Sequence, residues 1–533
     1  MKEVKTMFPS PAVRGAKICD TINLTSNNTP STTTRTSTAM SDPLSTLPPE
    51  LILQIIDLLP LSAAAQLTRV SRAWHSFIDT AHQDRIYSSP SKVSRPETLP
   101  NIHDFSFLDT QNTFTKPYHG VSSWKDLAKR QTLLRRNLDA PNPVTRESIF
   151  QVGALSRVWR FKPDFRRRFF LSTSELQGGV DVTDMSDGRR LWRNDGVREY
   201  AHLEYDPETG TAAWDAFGDV VEVWRVVEDN ESGQQRGVFR QLAVLRHDVQ
   251  IRGFELSNGN LCVVSSQGRA FVYDIVPEVK LKTTIHTAEG AIGHLHQDRD
   301  VVIISMGNAG YHVHNKTTGA HLGVIDPERC TNRTHIKSSR PPEPSESSSI
   351  TEMGPTTPPF PPSRARRDRL IPLRLERGPS PVYHTGLVDG DDWGACLLDG
   401  SCMAGISRHG SLFITSDWRK ALAGQYDETS ILIECETDPT IFDLGGWLTL
   451  RHGKVAMEVD DCIYLVRTQP KVWGDDDDDD DVEMEKSASV WAMYSTSVPR
   501  FNQPVSFMGI YEDCFMHTYW VSIAAFPALG QRC

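Results

Sequence analysis

The 533-residue chain contains no CxxC pair, and its nine cysteines (Cys19, Cys262, Cys330, Cys396, Cys402, Cys435, Cys462, Cys514 and Cys533) follow no regular ladder. That spacing is not the kind that marks a disulfide framework, and a reducing compartment, cytoplasmic and/or nuclear, is the expected setting. Nowhere do about 18 apolar residues run together, and the opening "MKEVKTMFPSPAVRGAKICD" lacks the apolar stretch of a signal peptide, so neither membrane spanning nor secretion is expected. Basic charge is not in excess. The net charge is −11, and Asp475 to Asp481 with Glu483 and Glu485 carry nine negative charges, which leaves about −2 for the rest. Generalised phosphate binding, and with it nucleic acid as a partner, is not expected. Also missing are a GxSxG elbow, a Walker loop, an HExxH helix and a GxGxxG leading into a helix. No catalytic residue, cofactor or metal is assigned.

What is present is enough for several folded units, since domains typically hold about 100–200 residues. Residues 1–43 are dominated by Ser, Thr and Asn ("TSNNTPSTTTRTSTAMS"), with too little apolar surface to offset the entropy of ordering, and are expected to be a disordered tail. Residues 44–80 carry dense helical periodicity. Residues 81–147 form a helical linker region whose "SSWKDLAKRQTLLRRNL" places Trp124, Leu127, Ala128, Gln131, Leu134 and Leu138 on one face, with Ser122 or Ser123 as the cap.

From 148 to 533 the period changes to short apolar runs bounded by Gly, Asn and Asp, such as "NGNLCVVSSQGRAFVYDIV", "DVVIISMGNAGYHVHN" and "GSCMAGISRHGSLFITSDW". Leu261 to Ser265, a Gln267-Gly268 turn and Ala270 to Ile275 recur about forty residues later as Val301 to Ser305, a turn at Asn308 to Gly310, and "YHVHN". This spacing predicts a β-propeller of six to eight blades, centrally seven, although no unit has a complete GH…WD signature; a pair of stacked β-sandwiches is the alternative. The fold class is therefore α+β and multidomain. Two disordered inserts are expected, at 331–370 (rich in Pro, Ser and charge, with Thr357-Pro and "RARR") and at 474–487 around the aspartate run.

Within 44–80, "LSTLPPELILQIIDLLPLSAAAQLTRVSRAWHSFIDT" reads as three helices. Proline is tolerated in a first turn, and Glu50 sits where the helix dipole favours an anion, so Pro48 and Pro49 start the first helix and Pro60 ends it. Ser62 is the expected cap of the second and Ser71 of the third, which carries Val70, Trp74, Phe77 and Ile78 at i, i+4, i+7 and i+8. About forty residues cannot bury so much aliphatic surface alone, so part of it is expected to be an interface.

The order Leu47-Pro48-x-Glu50-Leu51, Leu53, Ile56, Leu58 before Pro60, then Leu67, Val70-Ser71-Arg72 and Trp74 resembles the F-box, a three-helix module that docks on the Skp adaptor of cullin-type ubiquitin ligases. The short Ala63-Ala64-Ala65 run departs from the bulkier residues often found there. The resemblance implies Leu47, Pro48, Glu50, Leu53, Ile56, Leu58, Leu67, Val70 and Trp74 as adaptor-contacting or module-core positions. It also implies the adaptor, and through it a cullin, as partners. The chain would be the substrate-recognition subunit of a Skp-cullin-F-box ligase, with the β-domain holding a protein substrate for ubiquitination and proteasomal degradation. It would need no nucleophile of its own. A non-degradative scaffold is the alternative reading, and a propeller enzyme a remote one.

Arg166, Arg167 and Arg168 are the sharpest basic cluster in the folded part, a possible contact for an acidic or phosphorylated substrate segment. "HLH" at 294–296 and "HVHN" at 312–315 each put two histidines on one strand face, but no neighbouring cysteine or carboxylate run completes a metal site, and plain surface histidines are the expectation. Asp219, Asp274 and Asp298 read as turn carboxylates.

Overall fold

The computed structural model describes residues 42–525 apart from 97–98, 100, 111–112, 141–143, 145, 151–157, 218, 228–235, 288–293, 338–368, 380–391, 409, 436–446, 452, 460–461, 468–488, 495–506 and 518–520. The chain divides into two compact units, Met1–Gln54 and Ile55–Cys533. Helices come first in the described part: α1 (Pro43–Thr46), α2 (Pro49–Leu58), α3 (Leu61–Leu67), α4 (Arg72–Ser76), a π-helical turn over Phe77–Ala81, α5 (Gln83–Tyr87) and α6 (Trp124–Asp139). Pro49 opens α2, where its missing N–H costs no helical bond. Ser71 accepts the Trp74 N–H at 3.2 Å and Ser123 that of Asp126 at 3.2 Å, the two side-chain caps expected. Ser62 is not a cap: Pro60 occupies that position for α3 without a side-chain bond, and Ser62 lies inside the helix.

Among the described residues beyond Arg146, seven four-stranded antiparallel meanders follow one another. Their first strands are Val158–Asp164, Leu203–Asp206, Ile251–Ser257, Leu295–Gln297, Trp393–Asp399, Leu448–Arg451 and Met508–Ile510. Each first strand neighbours the next along this series. The series closes because Val158, Phe161 and Phe165 of the first meander share a core with Cys514 and Met516 of the last. Phe161 meets Phe507 edge-on at 5.2 Å. The arrangement is a β-propeller, and its meanders are blades 1 to 7. Arg146–Phe150, the earliest strand among the described residues, supplies the fourth strand of blade 7 by pairing with Val521–Ala525, so the two ends of the described β-domain lock the ring.

The closed ring explains why the strands read as continuous apolar runs and not as alternating ones. Blades 1 to 5 are covered on both faces by the cores they share with their neighbours. In Val301–Ser305 all five residues are buried; Val301 and Ile303 pack toward blade 5 with Tyr311, Trp393 and Phe413, whereas Val302 and Ile304 pack toward blade 3 with Val264 and Val272. Blades 1 and 2 meet the same way through Phe169, Val182, Leu203 and Trp214.

The expected insert at 331–370 is too wide at its edges. Arg333–Lys337 is a strand that pairs parallel with Ser430–Glu434, the last strand of blade 5, and antiparallel with Arg369–Arg377. The latter pairs with Ser489–Tyr494 of blade 6, so this hairpin covers two outer blade edges that would otherwise present unpaired backbone. Thr357, the RARR segment at 364–367, the aspartate run and the 1–41 tail lie outside the described residues. Asp298 behaves as the turn carboxylate expected, accepting the N–H groups of Asp300 and Val301 at 2.7 and 2.8 Å.

Candidate functional site

Two surfaces carry chemistry that the fold itself does not use up. The first lies on the early helices. On α2 the apolar stripe is wider than one buried face needs: Ile52 and Ile56 are buried, while Leu51, Ile55 and Leu58, at i, i+4 and i+7, are 46%, 48% and 87% exposed. Val70, in the turn before α4, is 66% exposed. Polar contacts hold the later part of this region. Arg85 pairs with Asp57 at 3.2 Å, Lys92 donates to the Asp57 carbonyl at 3.1 Å, and Asp79 accepts both the Tyr87 hydroxyl at 2.9 Å and the Lys125 ammonium at 2.7 Å.

The second surface is one mouth of the propeller, built by residues at or just before the N-terminal ends of the innermost strands. The Arg160 guanidinium lies over the rings of Trp447, Trp159 and Phe507 at 4.0, 4.6 and 5.3 Å. Trp159 also meets Tyr200 edge-on at 5.2 Å, and its buried indole N–H has no hydrogen-bond partner. Burial lowers Arg160 to about 9, which still leaves it a cation at neutral pH. Burial first, then the positive fields of Arg160, His202 and Arg252, bring His294 down to about 4. His202 is itself oriented by Asp215, which accepts from its ring Nδ1 at 2.8 Å and its backbone N–H at 3.0 Å.

Deeper among the innermost strands Lys162 pairs with Glu204 at 2.8 Å and His296 meets Glu255 at 3.3 Å. His296 Nδ1 accepts the Leu398 N–H at 3.2 Å, so the neutral ring carries its proton on Nε2, facing Glu255. Burial lowers His296 to about 3 and raises Glu255 well above the usual carboxylate range, so both groups move toward neutrality. The mouth, with edge-on aromatic rings, an orphan N–H donor and the Arg160 cation held over them, suits an anionic group flanked by apolar or aromatic ones.

Residues 44–86 match the F-box-like family model. They form an F-box-like domain. Its matched span runs past the expected end at residue 80, through the π-helical turn and most of α5. The chain is similar to several solved structures. The crystal structure of RRP9 WD40 repeats is 10% identical with a TM-score of 0.40, covering 71% of this chain and 97% of that one. The structure of U3-55K is also 10% identical, at a TM-score of 0.40 over 71% and 98%. The computationally designed Ika8 protein is 12% identical, at 0.40 over 71% and 99%. No curated protein is similar enough to this chain to count as a match. The ring here is established by its own sheet order and its inter-blade cores.

Within the F-box-like domain the structure sorts the nine expected positions. Pro48, Glu50, Leu58 and Val70 are exposed, Leu47, Leu53 and Leu67 are half-buried, and Ile56 and Trp74 are buried and thus core positions rather than contact positions. Of the three arginines expected to meet a substrate, only Arg166 is exposed, in the turn between the first two strands of blade 1. Arg167 is consumed internally by the buried Asp164 carboxylate at 2.8 Å and the Pro207 carbonyl at 2.9 Å, and Arg168 donates to the Phe114 carbonyl at 3.0 Å. The basic group that does gather at the ring mouth, Arg160, His202, Arg252 and His294, is dispersed over two blades and the approaches to two more. Its only linear signal is a polar residue at the head of an apolar strand.

Proposed function

We propose that this chain is the substrate receptor of a Skp-cullin-F-box ubiquitin ligase, using its F-box-like domain to dock the Skp adaptor and its propeller to hold a protein substrate. The observation that supports this reading is the set of large aliphatic side chains left in water on the F-box-like domain: Leu51, Ile55, Leu58 and Val70. Apolar surface of that kind is expected to be covered by a partner. For the substrate, the aromatic and cationic mouth around Trp159, Arg160 and Trp447 suits an acidic or phosphorylated segment. The chain transfers no ubiquitin itself. It contributes proximity, raising the effective concentration of substrate near a charged ubiquitin carrier handled by other subunits.

The test is affinity purification of the tagged full chain with and without Leu58→Asp and Val70→Asp. Recovery of the adaptor and cullin with the native chain and loss of both with the double variant supports the reading. Equal recovery from the two defeats it. Substrates are then the proteins whose lifetime lengthens when the chain is removed; bound partners with unchanged lifetimes would make it a scaffold.

A further inference from the structure

We propose that His312, His314 and His321 on blade 4 form a binding site for a divalent transition-metal cation, with zinc as the fitting occupant. The site arises from a register shift. His312 and His314 sit two apart on the strand Tyr311–Asn315 and share the face turned toward blade 3, since their partners on the preceding strand, Ile304 and Val302, belong to the core between blades 3 and 4. Across the other edge Val313 pairs with Gly323, and a regular ladder would place Leu322 opposite His314. A bulge intervenes, and His314 is paired instead with His321, the first residue of the outermost strand. Directly opposed residues share a face, so the bulge re-aims a third imidazole onto the first two.

The three rings converge. The His321 ring centroid lies 5.2 Å from that of His312 and 5.0 Å from that of His314, and one nitrogen from each histidine lies within 4.8 Å of the others. Zinc–nitrogen bonds of about 2.0–2.1 Å require ligand atoms roughly 3.3 Å apart in a tetrahedral site, so modest ring rotations would close the set. Among the described residues this is the one such convergence of ligand side chains.

A second observation points to an occupant. His314 is 2% exposed, and neither of its ring nitrogens has a hydrogen-bond partner. A buried imidazole without partners is costly, and a metal would occupy one lone pair.

Three nitrogen donors without carboxylate or carbonyl oxygens disfavour magnesium and calcium and suit zinc, copper, nickel or cobalt. His321 is exposed, which gives the ion an entry path and leaves the fourth position to water. Bound there, a metal would staple the outermost strand of blade 4 to its neighbour.

The test uses the full-length chain stripped of metal, titrated with zinc chloride by calorimetry against a competing chelator, and with cobalt chloride by visible absorption. One equivalent of zinc is expected, with a raised melting temperature in its presence. Cobalt should give a tetrahedral spectrum without thiolate charge transfer. His321→Gln and His314→Ala should each weaken zinc binding by at least about tenfold and abolish the melting shift. His321→Gln, at an exposed position, should keep the metal-free melting temperature and circular dichroism, so it decides the matter should His314→Ala fail to fold. Absence of saturable zinc binding, zinc binding unchanged in His321→Gln, or a cobalt spectrum dominated by cysteine overturns the proposal.

Discussion

Thr115 donates both its backbone N–H and its hydroxyl to one carboxylate oxygen of Asp513, each at 2.6 Å, across a sequence separation of 398 residues. The other oxygen of Asp513 accepts the Phe114 N–H at 2.8 Å, and the neighbouring Glu512 accepts the Tyr118 hydroxyl at 3.0 Å. The segment ahead of α6 is thereby clasped by the turn between the first two strands of blade 7. Asp513 is fully buried.

Asp513→Ala should therefore lower the unfolding free energy by about 3 kcal/mol or more, because it strands two backbone donors and a hydroxyl in a site closed to water. Denaturant titration checks the magnitude. A loss below about 1 kcal/mol would mean that water replaces the carboxylate.

The F-box-like domain should separate stability from docking. Leu58→Asp and Val70→Asp, in water already, should shift the melting temperature little, since exposed substitutions generally stay within about 0.5 kcal/mol. Ile56→Ala, fully buried, should cost about 2–5 kcal/mol. Thermal unfolding of the three variants, set beside adaptor binding, resolves core from contact positions.

His294 makes a pH-dependent contribution of defined sign. Its folded-state value of about 4 lies below the ordinary 6.5, so between those values the unfolded chain takes up a proton that the folded chain refuses. Stability attached to this group is present above about pH 6.5 and lost as pH falls toward 4. Relative to the native chain, His294→Gln should gain on the order of 2 kcal/mol between pH 7 and pH 4. Parallel stability curves for the two proteins would remove His294 as the source.

Gly405, in the second strand of blade 5, faces the Tyr311 side chain of blade 4 so closely that an added Cβ would meet its hydroxyl and, at 2.7 and 2.8 Å, its ring carbons. Tyr311 is fully buried against Trp393 and has nowhere to retreat. Gly405→Ala should destabilise by about 1–3 kcal/mol, and Tyr311→Phe in that background should restore part of the loss. Non-additivity in the double-mutant cycle is the readout.

Local features were legible because neighbours in sequence make them. Pro49 as a helix start, Ser71 and Ser123 as caps and the strand-turn-strand recurrence at 261–275 and 301–315 rest on backbone chemistry within a few residues. Among the arginines at 166–168, adjacency in sequence says nothing of partners: Arg166 is exposed, whereas Asp164 and the Pro207 carbonyl absorb Arg167, and only the folded turn brings them together. Val70 was placed on a helix and lies in the turn ahead of it. His321 was missed altogether as a companion of His312 and His314, because a one-residue bulge, not the alternation of the strand, aims it at them.

The sequence by itself determined that a helical segment with surplus aliphatic surface precedes a long series of short, doubly buried strands, since hydrophobic period and turn chemistry are local properties of the chain. Only the tertiary structure decided which of those aliphatic residues stay in water and which strand closes the ring. It also decided which cations share the mouth with Trp159 and Trp447, and which three histidines meet. Each of these depends on contacts between segments far apart in sequence, whose register is set by packing of the whole ring rather than by any one stretch of it.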